Sequence, residues 1–261
     1  MLKEKAMVML GGNPGNGVYY VAQTYRRKFG WDICTKFRQV YKKGKKYELV
    51  FFENSNKNFI ALVLLRIIGC EVSYFMHGDH FMPDAKKQYG SWAFFKEVFI
   101  VIFAMKIYSH SNISFSILKE HFPLSFPEGK AKKINFPISE YLSLRWRETT
   151  TDIKGNGLFE SCYIESSRIN KTSCRWLSLY KKKAKVKNVY PISAVDYDNK
   201  LCQARRLFIP SESESLCLAA LDAAHLGVKE IYVHKLIGVS EYKDELVKSY
   251  PEVQFYVVSE T

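Results

Sequence analysis

Short apolar runs of strand character alternate along this chain with longer stretches of helical period, and that alternation constrains the fold more than any single motif. Residues 5–10, 48–53 and 71–76 read as buried strands, while 18–28 and 57–68 place apolar side chains on one helical face. The glycine-rich GGNPGNG (11–17) lies between the first strand and the first helix, the order in which an α/β layer fold begins. A strand at 106–109, a helix through His121 and a short strand at 133–139, closing with proline, complete the first half. Such alternation implies a mostly parallel sheet covered on both faces. The stretch 149–157 (TTTDIKGNG) is polar and aperiodic, which places a domain boundary there, giving domains at 1–150 and 151–261. Beyond it, strands are expected at 161–165, 188–192, 207–209, 230–234 and 253–258, with helices at 172–183, 216–226 and 241–249.

Charge is unevenly shared. The formal net charge is +13, but residues 1–150 hold 23 Lys+Arg against 12 Asp+Glu, whereas 151–261 hold 16 against 14. A basic first half attracts polyanions, phosphorylated substrates or an anionic membrane surface. No platform of interleaved aromatic and basic residues marks a nucleic-acid binder, so no nucleic acid is expected. Six scattered cysteines without a CxxC pair exclude a zinc knuckle or dithiol motif and fit a reducing cytoplasm. The N-terminus reads as an entering strand without signal-peptide character. The run 92–107 is strongly apolar, yet it carries Lys96 and Glu97 and is short for a bilayer span. A buried core helix and a helix lying on a membrane surface both fit it, the second helped by the lysine runs at 42–46 and 181–187.

The richest stretch for chemistry is 206–227, RLFIPSESESLCLAALDAAHLG. A strand ends at Pro210, a polar loop follows, and a helix is expected to start near Ser215. Backbone N–H groups at a helix start, here Ser215 and Leu216, suit a diphosphate. Glu214 sits at that mouth and Asp222 about two turns on, so the pair can address different parts of one elongated ligand. Helix capping by Glu214 and a solvated Asp222 fit the same spacing.

This stretch resembles the donor-binding signature of retaining GT-B glycosyltransferases, in Pro210, Ser211, Glu214, Asp222, Ala223, Ala224 and Gly227. The resemblance implies two Rossmann-like domains with a cleft between them, donor bound mainly by the second. It gives Glu214 to the donor sugar and Asp222 to the nucleotide ribose. The second acid departs from the usual glutamate, and Ser215 and Cys217 stand where the family has two glycines. By position, Gly11 and Gly12 fall in the loop where donor and acceptor approach the backbone, and Arg168 and Lys171 fall where a cation pair neutralises the diphosphate. His77 falls where many members face the donor sugar with a histidine; as residues alone, His77, Asp79 and His80 also suit a metal or a structural role.

The resulting expectation is a hexosyltransferase-type enzyme that needs no metal or other cofactor. It moves a sugar, with retention, from a nucleotide-sugar donor to a glycan or lipid-linked acceptor. Bacterial surface-polysaccharide or lipopolysaccharide assembly, in the cytoplasm or on the inner face of the membrane, is the expected setting. A non-catalytic partner subunit of the same fold and a basic nucleic-acid-binding protein are the alternatives.

Overall fold

The structure is a computed structural model that describes residues 3–10, 17–52, 55–76, 85–121, 129–146, 159–166, 172–212 and 214–259. The chain divides into two compact units, Met1–Arg145 and Trp146–Thr261.

In the first unit β1 (Lys5–Val8) is followed by α1 (Gly17–Phe29), β2 (Asp32–Cys34), α2 (Phe37–Lys43), β3 (Glu48–Phe51), α3 (Asn56–Ile67) and β4 (Glu71–Phe75). Then come α4 (Ala85–Phe103), β5 (Ile107–Ser109), α5 (Asn112–His121), β6 (Ala131–Lys133) and α6 (Ile138–Arg145). The six strands pair in the order β2-β1-β3-β4-β5-β6, every pairing parallel. All four residues of β3 are buried, which is what an inner strand covered by helices on both faces requires. The core gathers Val8, Leu49, Phe51, Leu62, Val72 and Ile107 between sheet and helices.

Strand order reverses between β1 and β3, and open α/β sheets bind ligands beyond the carboxyl ends of the strands at such a point. There, Leu10 N–H donates to Asn58 Oδ1 (2.9 Å) and Ser55 Oγ donates to the Leu10 carbonyl (3.2 Å). Ser55 also caps α3 by accepting from Asn58 N–H. The start of α3 therefore anchors the chain where the glycine loop begins.

One expectation is corrected. Residues 133–139 are not one strand: β6 ends at Lys133, and Tyr141 N–H donates to the Pro137 carbonyl (3.1 Å), so the proline opens α6. The apolar run does form a helix: α4 is two helical segments joined at Gly90, whose φ of 77° lies outside helical space, and the second segment carries the run to Phe103. Among the described residues no helix is long and apolar enough to cross a membrane.

A carboxylate is buried inside this first sheet. Glu48 accepts hydrogen bonds from Tyr108 Oη (2.6 Å), Ser73 Oγ (2.7 Å) and Lys106 Nζ (3.0 Å). Burial pushes its carboxyl up, but these donors outweigh burial and hold it below the usual glutamate range. A carboxyl with a lowered folded-state pKa stabilises the fold above its unfolded value of about 4.3, and that contribution is lost as pH falls below it. Stability measured by urea unfolding is therefore expected to drop between about pH 5 and pH 3. Glu48→Gln, weaker at neutral pH, is expected to lose less over that range; an unchanged acid profile would place the titrating group elsewhere.

The second unit runs β7 (Phe159–Ile164), α7 (Cys174–Ala184), β8 (Tyr190–Ile192), α8 (Tyr197–Leu201), β9 (Ala204–Ile209), α9 (Leu218–His225), β10 (Glu230–His234), α10 (Lys243–Ser249) and β11 (Gln254–Val258). Its five parallel strands lie in the order β11-β10-β9-β7-β8. Counted from its own first strand this repeats the first unit's order, with the reversal between β7 and β9. Trp176, Tyr180, Phe208 and Tyr232 form the core on one face of the sheet.

Candidate functional site

The reversal between β7 and β9 puts two loops side by side: one leaves β7 after Ile164, the other leaves β9 after Ile209. The first is pinched at its base, where Ser166 N–H donates to Thr172 Oγ1 (3.3 Å) and the Thr172 hydroxyl donates to the Ser166 carbonyl (3.4 Å). Ser173 N–H then donates to the Pro210 carbonyl (2.9 Å), tying this loop to the second. Arg168 and Lys171 lie outside the described residues, as do Gly11, Gly12 and His77 with its neighbours Asp79 and His80.

The second loop, residues 210–217, is held from several sides. Tyr180 Oη donates to the Ile209 carbonyl (3.1 Å). Burial, with Cys217 and Glu212 nearby, pushes the Tyr180 phenol far up, so it stays a donor. Trp176 Nε1 donates to Glu212 Oε2 (3.0 Å), and His234 Nδ1 lies 3.3 Å from the Glu212 carbonyl. The Trp176 and His234 rings meet at 3.6 Å between centroids. Ser211 Oγ donates to Glu214 Oε1 at 2.6 Å, a charge-assisted bond that orients the carboxylate. Glu214 also bridges Ile237 in parallel fashion, and Gly238 N–H donates to its carbonyl (2.7 Å). Ser211, Glu212 and Glu214 are thus gathered at the carboxyl ends of β9 and β10.

The chain stays non-helical beyond Glu214. Ser215, Leu216 and Cys217 are buried, and α9 begins at Leu218, not near Ser215 as the polar run suggested. Ala220 N–H donates to the Cys217 carbonyl (3.2 Å), so the helix opens only at this point. Asp222 lies in the middle of α9, buried at 3% exposure. Its Oδ1 accepts from Trp146 Nε1 and its Oδ2 from Tyr197 Oη, each at 2.9 Å. Trp146 also stacks on His225, and burial holds that imidazole below its usual pKa. In this conformation the Asp222 carboxylate ties α9 to the start of α8 and to the chain leaving α6.

Glu212, Trp146 and Tyr197 were absent from the sequence-derived set. Glu212 sits in the same SESES run, but nothing in its spacing separates it from Glu214. The metal alternative at His77 lies outside the described residues, and among those described no cluster of three His, Cys, Asp or Glu forms.

No family model and no curated protein matches this chain. Solved structures do match its fold. HepE from Anabaena, solved with UDP and glucose, superposes with a TM-score of 0.57 at 12% identity, over 92% of this chain and 82% of its own. Sucrose-phosphate synthase from Thermosynechococcus elongatus superposes with a TM-score of 0.53 at 11% identity, over 92% and 83% respectively. At such identities the likeness is one of architecture: the chain has the α/β fold of two Rossmann-like units that these structures share.

Proposed function

We propose that this chain is a glycosyltransferase that moves a sugar, with retention, from a nucleoside-diphosphate donor to an acceptor hydroxyl, and that it binds the donor at the β7/β9 reversal. The observation that carries the reading is the Ser173–Pro210 backbone bond, which joins the base of the loop bearing Arg168 and Lys171 to the loop leading to Glu214. In this reading the two segments together would offer cations for a diphosphate and a carboxylate for sugar hydroxyls. HepE, bound to UDP and glucose on a similar frame, supports the donor class.

In this reading Glu214, oriented by Ser211, hydrogen-bonds the donor sugar, and Arg168 and Lys171 balance the charge that grows on the departing phosphate. The bond from the anomeric carbon to the diphosphate breaks, the acceptor oxygen bonds to the same face, and its proton passes to the leaving phosphate. The chemistry needs no metal or other cofactor, because protein cations do the neutralising. By the resemblance, His77 would face the donor sugar and Gly11 and Gly12 would let donor and acceptor approach the backbone, and a glycan or lipid-linked acceptor in bacterial surface-polysaccharide or lipopolysaccharide assembly fits the basic first half. The cytoplasm, or the inner face of its membrane, is where nucleotide sugars would meet such a protein.

One observation favours a second reading. The Asp222 carboxylate already accepts from Trp146 and Tyr197, as in a partner subunit that keeps the fold and has lost turnover. The discriminating experiment incubates the full chain with UDP-, GDP- and ADP-sugars, an acceptor panel and a chelator, and follows the anomeric configuration of the product by NMR. Transfer with retention, undiminished by chelator, is expected. Saturable donor binding with no product would favour the second reading, and loss of turnover with chelator would bring a metal back.

A further inference from the structure

We infer that Trp176, on α7, is a positioning residue for Glu214: it fixes the bend of the loop that carries this carboxylate and so holds it toward the donor sugar. The role deepens the transferase reading above and rests on it. α7 meets the end of β9 and the loop after it with one face. Ser173, Trp176 and Tyr180 are spaced by three and four residues, so they stand above one another on that face. Ser173 N–H donates to the Pro210 carbonyl (2.9 Å), Tyr180 Oη to the Ile209 carbonyl (3.1 Å) and Trp176 Nε1 to the Glu212 carboxylate (3.0 Å).

The three anchors differ in what they fix. Ser173 and Tyr180 hold backbone carbonyls where the strand ends. Trp176, alone of the three, reaches past Pro210 to a side chain, at the residue where the chain bends. That bend brings Ser211 back against Glu214, whose Oε1 accepts from the Ser211 hydroxyl at 2.6 Å. The Trp176 ring is itself immobilised: it is 1% exposed and meets His234 at 3.6 Å and Tyr180 at 6.1 Å between centroids. A buried indole N–H needs an acceptor, and a carboxylate offers a charge-assisted one. His234 closes the third side. With its proton on Nδ1 it donates to the Glu212 carbonyl (3.3 Å), so Glu212 is held from α7 by its side chain and from β10 by its backbone. Beyond the bend, Gly238 N–H fixes the Glu214 carbonyl (2.7 Å). With the backbone held on both sides, the direction of the Glu214 carboxylate depends on the turn between them, and Glu212 sets that turn. Removing the indole N–H releases Glu212 and lets the Ser211–Glu214 pair swing from the sugar. A misplacement of about 1 Å costs a reacting centre up to about a hundredfold in rate.

The test uses the full chain and steady-state transfer from the nucleotide sugar that the wild type turns over. Trp176→Phe keeps a ring and removes the N–H. Glu212→Ala removes the acceptor and leaves Trp176 in place, so it serves if Trp176→Phe folds poorly. Both are expected to lower kcat about tenfold, with donor KM within about twofold of the wild type. Both should also speed amide hydrogen exchange in residues 210–217 and not in β9 or β10. Glu212→Gln, which keeps an acceptor oxygen, should restore most of the turnover. In a Glu214→Ala background neither variant should cost anything further, because the effect passes through the Glu214 carboxylate. A further loss of about tenfold in that background, wild-type kcat in both variants, or unchanged exchange in the loop overturns the role alone. A wild type that neither binds nor transfers from any nucleotide sugar overturns the transferase reading and the role with it.

Discussion

Asp222→Ala is expected to cost about 3 kcal/mol of stability and to lower the melting temperature by about 10 °C. Asp222 is buried, and its two oxygens hold donors from opposite directions, Trp146 Nε1 and Tyr197 Oη, each at 2.9 Å. Removing the carboxylate deletes both bonds and strands an indole N–H that is itself buried, which costs more than the bonds contribute. Asn at the same place keeps one acceptor oxygen but turns an amide N–H₂ toward a donor, so it should recover only part of the loss. Urea unfolding of the three proteins checks this. A residue that serves only a nucleotide ribose would, when replaced, lower donor affinity and leave the unfolding midpoint where it was.

Glu214→Ala is expected to do the reverse. Its side chain accepts from Ser211, but its place in the fold is set by the backbone, through the bridge to Ile237 and the 2.7 Å bond from Gly238 N–H to its carbonyl. Alanine keeps both backbone links, so the melting temperature should move little. Turnover should fall about a hundredfold or more, the usual consequence of deleting an oriented polar group that is engaged as charge develops. Ser211→Ala, which leaves the carboxylate in place but unanchored, should show a smaller loss in the same direction. Wild-type turnover in Glu214→Ala would remove the residue from the reaction.

How much of this was legible in the sequence follows from the range of the interactions involved. β1, β3, α3, β4 and β10 were read to within a residue or two because burial on both sheet faces leaves an uninterrupted apolar run, and burial on one helix face leaves a periodic one. β2 and α8 were not, because three and five residues are too few to show any period. Pro137 was read as the end of a strand, although a proline can equally supply the first carbonyl of a helix. The late start of α9 has a non-local cause: pairing of Glu214 with Ile237 keeps the chain extended through residues that on composition alone would be helical. Spacing did single out the loop at the β7/β9 reversal. It was silent on the partners of Asp222, which lie 76 and 25 residues away in sequence, and on Glu212, whose distinction is the Trp176 indole beside it.

The claim beneath all of this is that the reversal point of the second sheet holds a nucleoside diphosphate. Calorimetric titration of the full chain, wild type and Glu214→Ala, with UDP, GDP and ADP tests it directly. The account predicts saturable one-to-one binding of one of the three, in the presence of chelator, with similar affinity in both proteins because the diphosphate meets cations and backbone while Glu214 waits for the sugar. Absence of heat for all three nucleotides at millimolar concentration would contradict it.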